Sequence, residues 1–151
     1  MTNIDIRQFA SAYVDINTSL NRKFIQLLRD VAGNLLTTEQ LVTLFFIKST
    51  ESCTSSQIAK EFGLKKSSVT SIINRLHEKK LVQRITNEQD RRTILLTLTD
   101  EGLSKSTEKE EQILRLLTPA VSNFSEAERS NLLENLTKLD RLLGDIIKDQ
   151  K

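Results

Sequence analysis

Apolar residues recur every three or four positions along most of this chain, and the breaks in that rhythm divide it. Ile6, Phe9, Ala10, Tyr13, Val14, Leu20, Phe24, Leu27, Leu28 and Val31 keep helical spacing and predict a long first helix over roughly 5–32. Gly33 and Asn34 stop it. Thr37 stands three residues before Gln40, the spacing of a capping box, and opens a short, strongly apolar helix, "TEQLVTLFFIKS". After the polar stretch "STESCTSS", Thr54 and Gln57 repeat that spacing and open "SSQIAKEF", which Gly63 ends after two turns. Val69, Ile72, Ile73 and Leu76 then fall at i, i+3, i+4 and i+7. Two short helices on either side of a tight turn read as a helix-turn-helix.

After Lys80 the rhythm changes. "LVQRI" and "TILLTL" are rich in β-branched residues, and the polar "TNEQDRR" between them predicts a hairpin with a long, charged loop. Thr99 caps a further helix whose first turn carries Asp100 and Glu101, on the side the helix dipole favours. Pro119 predicts a kink or break. Ser125 and Glu128 form a third capping box and open a last helix striped with Leu132, Leu136, Leu139, Leu143 and Ile146.

Composition narrows the class. In 151 residues there are only 4 glycines and 1 proline, which disfavours long loops and favours helix. No apolar run approaches the roughly 20 residues of a membrane span. The opening "MTNIDIRQF" lacks the basic-then-apolar order of a leader. With a single cysteine, Cys53, these features predict a cytoplasmic protein with no membrane partner. Cys53 has no basic neighbour in sequence to lower its pKa, and an inert thiol is expected. The single histidine, His77, provides no pair for a metal and no convincing triad, and phosphate-cradling and nucleophile motifs are missing. The expectation is a protein that binds without chemistry: no enzyme, no cofactor, no metal.

Net charge is only +2, but residues 60–92 hold nine basic and four acidic side chains, leaving the rest of the chain net acidic. A basic middle between acidic ends fits a module that faces a polyanion, and it equally fits scatter on a solvated surface. The helix "KSSVTSIINRLHEKK" decides between them. If its apolar residues face the core, its other side presents Ser67, Ser71 and Asn74, flanked by Ser68, Thr70 and Arg75, with Lys65 and Lys66 at its start. Small hydroxyls, an amide and an arginine are the side chains that bond base edges and phosphates. Directly after a short helix and a tight turn, they predict a DNA-recognition helix.

The order of two helices, the helix-turn-helix "SSQIAKEFGLKKSSVTSIINRLHEKKLVQR" and the wing "DRRTILLTLTDEG" resembles the MarR family of winged-helix transcription regulators. Asp90 and Arg92 match the family's Asp-x-Arg, followed by Leu98-Thr99 and Gly102, and Leu36 to Ile47 resembles its second helix. The chain departs at Lys65, where a capping serine is frequent, and at Lys80, where glycine commonly ends the recognition helix. The resemblance implies a homodimer on a pseudo-palindromic double-stranded operator, and in such proteins a small ligand or oxidant often releases the DNA; the expected outcome is repression by occluding a promoter, released by a small ligand.

The expected fold is mainly α: a winged helix-turn-helix with a small β-hairpin wing over residues 36–99, and a helical dimerisation region from 1–35 and 100–151. The long terminal stripes exceed what a small winged-helix unit can cover, so Leu136, Leu139 and Leu143 are expected in or beside a subunit interface. Arg91 and Arg92 are expected at the wing tip, with Asp90 holding the Arg92 guanidinium. The resemblance also implies an effector cleft that Tyr13 and Phe24 could line, although core packing explains their spacing equally well. The alternative is a winged-helix protein-interaction module that does not read DNA.

Overall fold

The computed structural model describes residues 5–150. Helices α1 (Ile6–Ala32), α2 (Thr38–Thr50), α3 (Ser55–Phe62) and α4 (Lys66–Glu78) precede strands β1 (Val82–Thr86) and β2 (Ile94–Leu98), and α5 (Asp100–Val121) and α6 (Glu126–Asp149) close the chain. Mainly α with a small antiparallel hairpin, this is the expected fold class. Among the described residues no helix is long and apolar enough to cross a membrane.

Three helix starts are fixed by capping boxes. Thr37, Thr54 and Ser125 each accept a bond from the backbone N–H three residues on, and Gln40, Gln57 and Glu128 return one to the cap residue's own N–H. All three boxes are therefore closed. At Lys65, where a capping serine is frequent, the side chain makes no capping bond at the start of α4. The departure at Lys80 is a backbone strain, for this residue sits at φ 59°. A side chain there meets the backbone as it does in a left-handed helix, at a cost of about 1 kcal/mol. Lys80→Gly should raise the unfolding free energy by about 1 kcal/mol, read as a higher urea midpoint at unchanged slope.

Proline does not end α5 where it stands. The helix runs through Pro119 to Val121. So near the end, the ring removes few ladder bonds. Side chains serve the last carbonyls instead: the Asn123 amide donates to the Pro119 carbonyl (2.8 Å) and the Ser122 hydroxyl to that of Thr118 (2.7 Å).

The chain packs as two compact units that meet within α5, one up to Ile113 and one from Leu114. In the first, Leu41, Leu44 and Ile47 of α2, Ile58 of α3, Val69, Ile73 and Leu76 of α4, and Val82 and Leu96 of the hairpin are each at most 1% exposed. Burying each such side chain contributes about 1.5–3 kcal/mol. Leu28, Val31 and Ala32 at the end of α1 join this core, and Gly102, Ser106 and Lys109 of α5 are buried. Packing thus groups the end of α1 and the start of α5 with the winged helix, across the sequence-based division at 36 and 99. The buried Lys109 ammonium donates to the Val31 carbonyl (2.7 Å), tying α5 to the last turn of α1.

The hairpin pairs Val82 with Leu98, Arg84 with Leu96 and Thr86 with Ile94. Cys53 adds one more rung. It exchanges backbone bonds with Leu96 on the outer side of β2 (3.1 and 2.7 Å). The thiol is buried, and burial pushes its pKa up against a smaller opposing effect of a hydrogen bond with Thr50. A buried thiol with a raised pKa carries little thiolate, the reactive form.

Candidate nucleic-acid interface

Gly63 takes a left-handed conformation (φ 62°) after α3, and the Leu64 N–H returns to the Ala59 carbonyl (2.9 Å). This closes the tight turn and sets α4 against α3. Val69, Ile73 and Leu76 anchor α4, with Ile72 half-buried. Ser67, Ser68, Thr70, Ser71, Asn74 and Arg75 are exposed, and so are Lys65 and Lys66. Ser67, Thr70, Ser71, Asn74 and Arg75 border one cleft of about 870 Å³, lined on its other side by residues 34–37, which lead into α2, and by Gln40. A Lys79 ammonium bond to the Leu35 carbonyl pins that other side to the end of α4.

The hairpin tip is the loop 87–93, closed by a bond from the Asn87 N–H to the Thr93 carbonyl (3.0 Å). Arg91 and Arg92 are exposed on it. Asp90 does not act as expected. Its carboxylate accepts from the Arg92 backbone N–H (3.0 Å) and the Thr93 hydroxyl (2.8 Å), so it shapes the turn rather than gripping the Arg92 guanidinium. The physical reason is proximity: an aspartate reaches its own backbone two residues on more readily than a mobile arginine head. These two bonds, the Thr93 hydroxyl first, hold its pKa below the ordinary value. Their help to the turn is therefore complete above the ordinary carboxylate range, and it is lost as pH falls through the depressed value.

Arg84 was not singled out in the sequence. Its guanidinium donates to the Asn74 side-chain oxygen (2.6 Å), linking β1 to α4. A signal was present: a strand's period of two puts Arg84 on the same side as buried Val82.

The other expected residues lie elsewhere. Leu136 and Leu143 are exposed on α6 and Leu139 is half-buried, and no residue of that helix is fully buried. Phe24 borders an apolar cleft of about 470 Å³ with Leu28, Val42, Phe45, Phe46 and Phe62. Phe46 and Phe62 meet edge to face there, with ring centres 5.7 Å apart. Tyr13 is half-buried eleven residues earlier on α1, about 16 Å along the axis, and is not among the lining residues.

Two short helices on either side of a tight turn, with a basic-tipped hairpin beside them, define a winged helix-turn-helix protein. Residues 36–93 match the sequence profile of the MarR family. The HTH-type transcriptional repressor MdtR of Bacillus subtilis is 37% identical over 92 residues, which are 58% of this chain and 59% of that protein. The YusO protein of B. subtilis, a solved structure, is 30% identical with a TM-score of 0.60, over 91% of this chain and 98% of that one. A mutant MarR from E. coli, solved in complex with operator DNA, shares the fold at a TM-score of 0.70 and 23% identity, over 89% of this chain and 98% of that one. Over its winged-helix segment, residues 36–93, the chain is thus similar to the MarR family.

Proposed function

We propose that the protein is a MarR-type transcription regulator that binds a pseudo-palindromic operator as a homodimer, represses by occluding a promoter, and is released by a small ligand. The observation that carries this reading is the exposed face of α4: hydroxyls, an amide and an arginine bordering one cleft, beside a hairpin tipped with Arg91 and Arg92. Its relatives point the same way, one named a transcriptional repressor and one solved on operator DNA. The lysines and arginines supply affinity through phosphates, and the α4 face and wing supply selectivity. The apolar stripe of α6 and the exposed Ile6, Phe9 and Leu20 of α1 support burial against a second copy. The Phe24 cleft, lined also by Glu61 and Glu110, supports a mainly apolar effector.

Arg92 is the residue for the minor groove, which is narrow and electronegative in A·T-rich DNA. Arg92→Ala should cost about 1–3 kcal/mol of operator affinity and relax selectivity at flanking A·T positions. Arg91→Ala should lose less, evenly across sequences. Asp90→Ala should fall between them, by loosening the turn. Fluorescence anisotropy on operator and scrambled duplexes at fixed salt measures all three. Parent-like binding of both duplexes by Arg92→Ala would remove the wing from DNA reading. A salt titration separates this function from a protein-interaction module. A dimer on DNA should lose roughly a thousandfold in affinity between about 50 and 200 mM salt.

A further inference from the structure

We propose that Arg84 sets which base α4 reads, by fixing the side-chain amide of Asn74; this rests on the DNA-reading function proposed above. The Arg84 guanidinium donates to the Asn74 side-chain oxygen at 2.6 Å. A guanidinium has donors only, so the amide has one orientation open to it: oxygen toward Arg84, NH2 away. Asn74 is exposed and borders the α4 cleft with Ser67, Thr70 and Ser71. The NH2 is therefore the group turned toward a base, while the oxygen keeps one lone pair beside the guanidinium.

An unconstrained asparagine reads adenine with both ends of its amide. The oxygen accepts from N6 and the nitrogen donates to N7. Here the oxygen is already bonded, and a fixed positive charge stands behind it. The amino group of an adenine or cytosine brought to that oxygen meets a cation. Guanine instead offers two acceptors, O6 and N7, to outward-facing donors. Arg84 thus acts as a positioning residue that turns an adenine-reading side chain into a guanine-reading one.

The test selects bound sequences from a randomised duplex library with the full-length protein, followed by anisotropy on the winning duplexes. The parent should select guanine at one position of each half-site, and Asn74→Ala should erase that preference alone. Arg84→Met keeps the stem and removes the donors. It should shift the same position from guanine to adenine, changing the ratio of the two affinities by about tenfold, with other positions unmoved. The double variant should behave as Asn74→Ala does. Asn74→Asp gives a second route should Arg84→Met misfold. It keeps the Arg84 contact and turns an acceptor outward, so guanine should give way to cytosine.

Retention of guanine by Arg84→Met or Asn74→Asp overturns the proposal. So does an Arg84→Met variant that weakens all duplexes equally, because that is the behaviour of a phosphate contact. A parent protein that selects no sequence overturns the DNA-reading function itself, and this proposal with it.

Discussion

Gly102→Ala should destabilise the winged-helix unit by about 3 kcal/mol, and Gly102→Val by more. A Cβ added at Gly102 would lie 1.9 Å from the Leu81 carbonyl oxygen and 2.8 Å from its carbon. Both are backbone atoms and cannot swing aside. That carbonyl also accepts from the Thr99 N–H (3.1 Å), while the Thr99 hydroxyl donates to the Lys80 carbonyl (2.6 Å) and accepts from the Gly102 N–H (3.0 Å). The start of α5 is thus bonded onto the root of the wing, and glycine is what permits the approach. Any side chain must push α5 away and break those bonds. Urea unfolding measures the loss. A variant within 0.5 kcal/mol of the parent, about the spread of ordinary surface changes, would mean that the root can open freely.

In the proposed homodimer, Leu136→Asp should separate the subunits while the chain stays folded. Leu136 is 49% exposed in the single chain, so a carboxylate there stays wet unless a second subunit covers it. Buried against a partner with no cation, it costs several kcal/mol, which is enough to dissociate a dimer at micromolar concentration. Leu139→Asp should do the same or unfold the second unit, because Leu139 is already half-buried. Sedimentation equilibrium with circular dichroism separates the outcomes. A Leu136→Asp dimer of parental affinity would place the interface elsewhere.

The fold was legible in the sequence wherever its cause is local. Thr37 with Gln40, Thr54 with Gln57 and Ser125 with Glu128 act across three residues, so pattern alone located those helix starts. The β-rich run "TILLTL" and the cap residue Thr99 with Asp100 and Glu101 behind it likewise marked β2 and the start of α5. The burial of Val69, Ile73 and Leu76 followed from helical spacing, which left the polar face of α4 outward. What the pattern could not supply were contacts between distant positions. Cys53 sits in a run of serines and threonines and gives no sign of its rung with Leu96. The Arg84–Asn74 bond joins two elements, and strand parity alone only hints at it. Asp90 was misjudged for the opposite reason: an ion pair with Arg92 was expected where a shorter-range turn was available.

The Cys53 rung bears on how the molecule meets its neighbours in a concentrated solution. A two-stranded hairpin ordinarily offers a row of unpaired backbone groups along its side, a template on which another chain can add a strand. Here the Leu96 N–H and carbonyl on the outer side of β2 are both taken, at the middle of the strand, by Cys53. An incoming strand would have to displace two backbone bonds and expose a buried thiol before it could lie flat. One short rung from a loop thus guards the wing against edge-to-edge aggregation.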